Sequence, residues 1–362
     1  MIPQAMMTPF EVSTDFKVGC RDMTATQAFL WINLGSPDSP DVSDVRRYLA
    51  EFLMDPFVID VPFILRVMIV YLTILPSRPK ASAEAYHSVW TEEGSPLLVN
   101  SNKFLHQVST RLEYPSYLAM RYGNPSIPSV LEAIREQNPN LKKLVMIPLY
   151  PHYAMASTKT VEVMVEREVS RLWESLDLVT IKHFYNHPSY IDALASSMRP
   201  YLETNFQHLL FSYHGLPERH LKKTDPTGKW CLSRPDCCAV SHEAHDTCYR
   251  HQCYETTRLV TEKLGLTSDQ FSVAFQSRLG RDPWIKPFTD EVLITLAQKG
   301  VKHLHVVCPA FVSDCLETLE EIAMRGKEDF ISAGGDDFTY IPCMNDQAEW
   351  VDAAVSLVTL KK

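Results

Sequence analysis

The chain has 362 residues, of which 45% are hydrophobic and 22% charged, and its 35 Lys and Arg against 44 Asp and Glu give a formal net charge of −9. This is the composition of an ordinary globular protein, and it excludes collagen, a coiled coil and a disordered chain. An acidic chain without a basic block also excludes nucleic acid as an expected partner.

The beginning of the chain shows no targeting pattern. Residues 1–25 lack the basic and apolar regions of a secretory signal, so we predict a flexible tail there. The longest apolar run, residues 57–76, is interrupted by Asp60 and Arg66 and is too short and too charged to cross a bilayer. Two interpretations of this run stay open, a buried helix and a lip that faces a membrane. We expect a cytoplasmic protein, in which clustered cysteines indicate a metal rather than disulfides.

Short β-rich runs alternate with amphipathic helical patterns along the rest of the chain. The predicted strands are Phe29–Asn33, Tyr117–Arg121, Lys143–Leu149, Leu178–His183, His208–Ser212, Phe271–Phe275, His303–Val307 and Phe338–Ile341. The predicted helices include Val45–Met54, Ser82–Trp90, Ile127–Gln137, Thr160–Ser175, Tyr190–Glu203, Glu255–Leu264, Asp290–Lys299 and Glu317–Arg325. Continuous apolar strands that alternate with helices indicate parallel sheets covered on both faces.

These strands are too many for one small sheet, so the predicted fold is α/β, with two similar doubly wound (Rossmann-like) domains and an active-site cleft between them. We predict a first domain over residues 26–190, which contains the apolar run, and a second over residues 191–345. The second domain carries an inserted cysteine-rich segment, residues 231–253, and residues 346–362 are predicted to form a C-terminal helix.

Polar turns follow several of the predicted strands, and ligands of open α/β sheets bind at these strand ends. His214 lies just past the fifth strand and is followed by a sharp Gly- and Pro-containing turn. Past the seventh strand, Asp314 is a candidate helix cap, and Glu317 and Glu321 lie four residues apart on one helical face. A histidine opposite stacked carboxylates is suited to a divalent transition metal or to a proton relay. Taken singly, a core histidine and a solvated acidic helix are the alternatives.

Eight separate segments, most of them at strand ends, share a pattern with a known family: Asn33–Pro37, Val45–Leu49, Arg121-Tyr122, Pro148–Tyr153, Ser212–Pro217, Phe275–Arg278, Pro283-Trp284 and Pro309–Glu321. Together and in this order they resemble the ferrochelatase family, whose members insert ferrous iron into protoporphyrin IX in the last step of haem biosynthesis. The resemblance runs from about Phe29 to the C-terminus. It implies an enzyme with protoporphyrin IX and Fe²⁺ as its substrates.

The resemblance also implies roles for individual residues. His214 is the implied proton acceptor or metal-side ligand, and Glu317 is its partner in metal binding. Glu321 and Asp314 extend the acidic line for iron delivery or proton exit. The implied porphyrin-binding residues are the aromatic wall positions Tyr122, Tyr153, Trp284 and Phe311, together with Arg121 and Arg278 as partners of the propionates. Residues 57–76 correspond to the family's apolar lip, which implies a peripheral contact at the inner face of the membrane.

The sequence departs from the family pattern at two positions. Cys315 stands where many members carry a histidine, which removes one proposed proton carrier. Leu34 is aliphatic at a position that is polar or aromatic in some members, so we expect no axial stacking from that side.

The cysteine-rich segment holds five of the nine cysteines, Cys231, Cys237, Cys238, Cys248 and Cys253. Such a concentration of thiolates indicates zinc or an iron–sulfur cluster, although the spacing fits neither a zinc ribbon nor a plant-type ferredoxin. Some ferrochelatases bind a [2Fe–2S] cluster, and the resemblance therefore implies one here, with four of the five cysteines as ligands. Whether Cys237 or Cys238 is the non-ligand stays open, as do zinc and unmetallated thiols.

Two other functions remain as alternatives. The first is a chelatase of the same fold that acts on another tetrapyrrole or metal, such as coproporphyrin or cobalt. The second is a non-enzymatic haem- or iron-sensing protein, although a sensor does not need a proton acceptor beside a line of carboxylates. The sequence does not predict an oligomeric state.

Overall fold

The computed structural model describes residues 25–203, 205–278, 280 and 282–359. The tail predicted at residues 1–25 lies outside this part of the chain, except for its last residue.

Two parallel four-stranded sheets form the centre of the described structure. The first contains β1 (Gln27–Asn33), β2 (Ser116–Met120), β3 (Lys143–Pro148) and β4 (Asp177–Thr180), in the order β2-β1-β3-β4. The second contains β5 (His208–His214), β6 (Phe271–Gln276), β7 (His303–Val307) and β8 (Asp337–Ile341), in the order β6-β5-β7-β8. Both sheets have the same strand order, so the prediction of two similar α/β domains is confirmed.

Helices cover the sheets. They are α1 (Val42–Leu53), α2 (Phe63–Val67), α3 (Arg78–Val89), α4 (Pro96–Ser109), α5 (Ile127–Gln137), α6 (Thr160–Leu172), α7 (Pro188–Leu202), α8 (Glu218–Thr224), α9 (Tyr249–Leu264), α10 (Thr289–Gln298), α11 (Leu316–Thr318), α12 (Lys327–Ser332) and α13 (Ala348–Thr359). Three π-helical segments (Met68–Ile74, Met155–Lys159 and Leu319–Gly326) and a 3₁₀ turn (Glu243–Asp246) adjoin them. Neither α4 nor α8 was among the predicted helices.

The strands are apolar along their whole length because both faces of each sheet are buried. In β1, Phe29 and Trp31 face one hydrophobic cluster while Leu30 and Ile32 face another. The first of these clusters extends into the second domain, so the two domains share a core. Trp350 of α13 joins this core by stacking on Phe104 of α4 at a ring-centroid distance of 5.7 Å. The domain boundaries given above stay predictions.

The apolar run leaves some of its hydrophobic side chains in solvent, whereas Val70 and Leu75 are buried. Phe63, Ile64 and Leu72 are 64%, 74% and 68% exposed, so one face of this helical run is in solvent. Its base is fixed to the second domain, because Asp60 accepts hydrogen bonds from Arg219 (2.6 Å) and Lys223 (2.5 Å) of α8. Throughout the described residues, every helix is too short or too polar to cross a membrane.

Candidate active site

A largely apolar pocket opens between the two domains at the carboxyl ends of the strands. The space between its walls, including the part open to solvent, is about 1040 Å³, which is the size of a small-molecule site. Both domains contribute walls. The aromatic, histidine and carboxylate residues among them are Tyr48, Phe52, Tyr86, Tyr150, His152, His214, Tyr249, Phe311 and Glu317.

The turn after β1 lines the pocket on the side of the first domain and packs on the turn after β2. Gly35 follows β1 and has a φ of +104°, which disfavours a residue with a Cβ atom. A Cβ on Gly35 would lie 1.8 Å from the carbonyl oxygen of Tyr122, in the turn after β2. The glycine therefore allows the turn after β1 to pack directly on the turn after β2.

His214, the last residue of β5, lines this pocket and is half-buried. Its Nδ1 lies 2.6 Å from the carbonyl oxygen of Gly215. Since a carbonyl oxygen only accepts, Nδ1 carries the proton and donates, and Nε2 of the neutral ring keeps its lone pair. The ring packs against Phe311 at a centroid distance of 6.4 Å. The structure thus provides an oriented imidazole with one free basic nitrogen.

Glu317 lines the same pocket from the first turn of α11. Its backbone carbonyl accepts a hydrogen bond of 2.8 Å from Nε2 of Gln276. Burial, followed by the charge of Glu317, raises the pKa of Tyr86 well above its ordinary value. Burial is also the main cause that raises the pKa of Tyr48, to which Tyr86 and Glu317 contribute. Two neutral phenols therefore stand near the carboxylate in an apolar environment.

The other two residues of the acidic line lie outside the walls of this pocket. Both carboxylate oxygens of Glu321 are bound by Ser277, whose N–H donates at 2.9 Å and whose hydroxyl donates at 2.6 Å. Asp314 is buried and accepts from Tyr340 (2.6 Å) and Asn345 (2.7 Å). The N-cap of α11 is Cys315, so the interpretation of Asp314 as the cap is wrong. Asp314 instead accepts from the hydroxyl of Thr318 at 3.1 Å.

Arg121 and Tyr122 belong to a buried network behind the pocket. The guanidinium of Arg121 forms an ion pair with Asp55, and the two side chains are 10% and 1% exposed. Arg121 also donates through Nε to Thr160 at 2.8 Å, and the hydroxyl of Tyr122 donates to Asp55 at 3.0 Å. The cation of Arg121 is therefore already neutralised by a carboxylate of its own domain.

The remaining predicted wall residues have different positions. Phe311 lines the pocket, whereas Tyr153 lies in the buried interface, where its N–H donates to Gln252 at 2.7 Å. Arg278 is a surface residue paired with Asp290 and Glu291. Trp284 is half-buried and lies beside Gly215. Of the residues predicted to contact the porphyrin, the structure brings only Phe311 to the pocket wall among those described.

Most residues of the pocket wall were not singled out from the sequence, and Tyr48, Tyr86 and His152 are among them. Tyr48 and His152 lie within quoted motifs, but Tyr86 comes from the middle of α3, where no strand end marks it. His152 donates through Nε2 to Thr256 at 2.9 Å, because the hydroxyl of Thr256 donates to Tyr185. Burial, with a smaller contribution from His183, lowers the pKa of His152 to about 3. His152 is therefore a neutral residue of the wall.

The cysteine-rich segment follows α8 and ends in the first turns of α9, and four of its thiols form a chain of contacts. The sulfur atoms of Cys237 and Cys238 are 4.0 Å apart. Hydrogen bonds from Cys231 and Cys238 lower the pKa of Cys248. Cys253 instead bonds to the hydroxyl of Tyr249 and is buried in the shared core. In the described part of the chain, no three His, Cys, Asp or Glu side chains are arranged to hold a single metal ion.

Comparison with known proteins identifies the family of the chain. The family model described as Ferrochelatase matches residues 26–362. A ferrochelatase of Pseudomonas putida F1 is 49% identical over 327 residues, which cover 90% of this chain and 96% of the relative. One of Ectopseudomonas mendocina is 50% identical over 328 residues, with 90% and 95% covered.

The solved structures show the shared fold. SirB from Bacillus subtilis with Fe³⁺ aligns with a TM-score of 0.54 and 12% identity, over 92% of this chain and 94% of that one. The sirohydrochlorin chelatase SirB of the subspecies spizizenii, in complex with cobalt, gives a TM-score of 0.52 at 12% identity, over the same 92% and 94%. The chain therefore belongs to the ferrochelatase family and is a metal chelatase of haem biosynthesis, with a porphyrin and ferrous iron as its substrates.

Proposed function

We propose that the chain inserts Fe²⁺ into protoporphyrin IX in the pocket between its domains, with His214 and Glu317 at the metal. The observation that carries this proposal is that the free Nε2 lone pair of His214 and the side chain of Glu317 belong to one apolar pocket. The aromatic walls suit a flat macrocycle, whose faces pack well against rings.

Metallation of a porphyrin replaces two pyrrole N–H protons by one divalent cation. Histidine side chains exchange protons near neutral pH, which suits His214 to accept the two pyrrole protons one after the other at Nε2, releasing the first to solvent before it takes the second. Glu317 supplies a carboxylate that attracts Fe²⁺ and stabilises the imidazolium after the transfer. The proton and the cation thus exchange at one face of the ring.

We assign the other carboxylates different parts in this step. Glu321 lies in the π-helical segment that continues α11, and it extends the line that leads the proton or the iron past Glu317. Asp314 has both oxygens occupied by donors. Its role is therefore to hold the start of α11 in place, through Thr318.

The test is Fe²⁺ insertion under anaerobic conditions by the wild type, His214→Ala and Glu317→Gln. We expect His214→Ala to lower kcat by about 10²- to 10⁴-fold, the size of a general-base effect, while porphyrin binding measured by fluorescence is retained. His106→Ala, at an exposed position of α4, and Glu320→Gln, which loses only a pair with Arg325, are the matched controls. Near-normal turnover of His214→Ala would reject the assignment.

We further propose that the cysteine-rich segment holds a [2Fe–2S] cluster through Cys231, Cys237, Cys238 and Cys248. These four thiols are linked by a chain of pairwise contacts and fit the donor set, and Cys253, bonded to Tyr249, is the non-ligand. Three side chains donate hydrogen bonds to the backbone carbonyls of Cys237 and Cys238 and so fix the chain at these two cysteines. Trp230 (3.0 Å) and His245 (2.8 Å) donate to the carbonyl of Cys237, and His251 donates to that of Cys238 at 2.8 Å.

A cluster in this segment would have a structural or a redox-sensing role, because the insertion of Fe²⁺ into a porphyrin consumes no electron. Iron and labile sulfide per chain, with the visible spectrum of anaerobically purified protein, test the ligand set. We expect Cys248→Ser to lose the colour and Cys253→Ser to keep it. Wild-type protein that is colourless, folded and active would contradict the cluster proposal. If Cys253→Ser loses its iron while Cys248→Ser keeps it, the proposed ligand set is refuted.

Finally, we propose a cytoplasmic protein whose lip, the apolar run at residues 57–76, touches the membrane surface. Support comes from the exposure of Phe63, Ile64 and Leu72 on a helix fixed at its base by Asp60. Sedimentation with phosphatidylcholine–phosphatidylglycerol vesicles tests this contact. We expect the wild type to bind and the triple serine variant of these three residues to stay in solution. Met324→Ser, which alters an exposed apolar side chain elsewhere, is the control. A wild type that stays in solution contradicts the contact.

A further inference from the structure

The end of β6 and the turn that follows it contact two of the three carboxylate residues of the proposed acidic line, Glu317 and Glu321. Nε2 of Gln276 donates to the backbone carbonyl of Glu317 at 2.8 Å. The next residue, Ser277, donates to the two carboxylate oxygens of Glu321 at 2.9 Å and 2.6 Å. Neither Gln276 nor Ser277 has a part in the chemistry described above.

The same turn is attached to the strand that bears His214. His214 and Gln276 are partners in the register of β5 and β6, and the N–H of Gly215 donates to the carbonyl of Gln276 at 2.6 Å. Ser212, also in β5, donates to Oε1 of Gln276 at 2.8 Å. A Cβ on Gly215 would lie 2.8 Å from the carbonyl oxygens of both Gln276 and Ser277, so the two turns are in direct contact.

Ser277 holds its place in a disfavoured backbone conformation. Its φ is +59°, in the left-handed region that glycine enters freely and that costs a residue with a Cβ atom. A glycine there would still supply the N–H to Glu321, but it would lack the hydroxyl. The hydroxyl is therefore the feature that serine adds at this position, and it is bonded to Glu321.

We infer that Gln276 and Ser277 are positioning residues, which fix Glu317 and Glu321 relative to His214. Gln276 acts on the backbone at Glu317, and Ser277 orients the carboxylate of Glu321 with two hydrogen bonds, leaving the remaining lone pairs of its oxygens to accept a proton or approach a cation. The inference rests on the proposed function, because it assigns these two carboxylates to the metal side of the reaction.

Ser277→Gly isolates the hydroxyl, since it relieves the backbone conformation and keeps the N–H. Loss of one hydrogen bond to a charged group corresponds to about a tenfold to a hundredfold effect. We expect a change of this size in kcat or in KM for Fe²⁺, with KM for the porphyrin within about twofold and no loss of thermal stability. Ser272→Ala is the matched control. Ser272 lies in β6, the strand before this turn, and its hydroxyl is bonded to His208, so the kinetics of this variant should equal those of the wild type.

A double-mutant cycle decides whether Ser277 acts through Glu321. If it does, Ser277→Gly adds little to the defect of Glu321→Ala. Multiplicative effects of the two substitutions would overturn the inference, as would equal rises of both KM values or wild-type kinetics of Ser277→Gly. Wild-type kinetics of Glu321→Ala would overturn the inference too, together with the proposed part of Glu321. Iron insertion that depends on His214 would still stand in that case, so the two failures are distinguishable.

Discussion

Arg121 provides a sharp test of the network behind the pocket. The resemblance implies that this arginine meets a propionate, whereas the structure pairs it with Asp55 in a nearly inaccessible site. Replacement by methionine keeps the apolar stem and leaves the Asp55 carboxylate buried without its cation. Breaking a buried ion pair on one side costs about 3 to 5 kcal/mol. We therefore expect Arg121→Met to lower the free energy of unfolding by that amount.

The corresponding change in melting temperature follows from the size of the chain. At about 2.1 cal/mol/K per residue, the unfolding entropy of 362 residues is about 0.76 kcal/mol/K. The Tm of Arg121→Met should then fall by about 4 to 7 °C, as measured by circular dichroism or calorimetry. Arg278→Met is the matched control. Its guanidinium side chain is 43% exposed and its ion pairs lie at the surface, so we expect a change below about 1 kcal/mol. An unchanged Tm of Arg121→Met, combined with a higher KM for the porphyrin, would refute this account and restore Arg121 as a substrate ligand.

Two further predictions concern the pocket. Burial lowers the pKa of His152 from its ordinary value of 6.5 to about 3. Between these two pH values the unfolded chain binds a proton at this residue and the folded chain does not, so acid destabilises the fold. Between pH 7 and pH 5, the unfolding free energy of His152→Gln should fall about 2 kcal/mol less than that of the wild type, and equal losses in urea titrations would contradict this. Gly35→Ala combines a positive φ with a contact of 1.8 Å, whereas Gly334→Ala has a φ of +107° and open space around its Cβ. We expect about 1 to 2 kcal/mol of destabilisation at Gly334 and a clearly larger loss, or no folded protein, at Gly35, and equal melting temperatures would show that the two turns do not need the glycine.

The sheets could be predicted because burial on both faces makes each strand a continuous apolar run. All eight predicted strands are present, with ends shifted by up to three residues, as for Leu178–His183 against Asp177–Thr180. The same logic predicted His214 just past a strand that ends at Ser212, and the structure extends that strand so that His214 is its last residue. Helix α8 was not predicted because it is short and charged. Helix α4 was not predicted because Pro96 and Ser101 interrupt the apolar pattern of its buried face.

Side-chain partners across the fold could not be predicted in this way. Arg121 and Asp55 are far apart in the sequence, so no local pattern indicates the ion pair that they form in the structure. The place of Tyr86 in the pocket wall could not be predicted either. Its sequence pattern is that of any buried aromatic residue in a helix, and it reaches the pocket only because α3 packs beside α11. The bonds between Cys253 and Tyr249 likewise depend on how α9 begins, which the cysteine spacing alone does not determine.

Chemical rescue of the His214 variant tests the central claim most directly. His214→Gly removes the imidazole beside Glu317 and leaves the pocket walls in place. We expect Fe²⁺ insertion into protoporphyrin IX to fall by about 10²-fold or more, and added imidazole to restore a measurable part of it, with no such response in Glu317→Gln. Near-wild-type insertion by His214→Gly without imidazole would contradict the account, because the proton acceptor would then lie elsewhere.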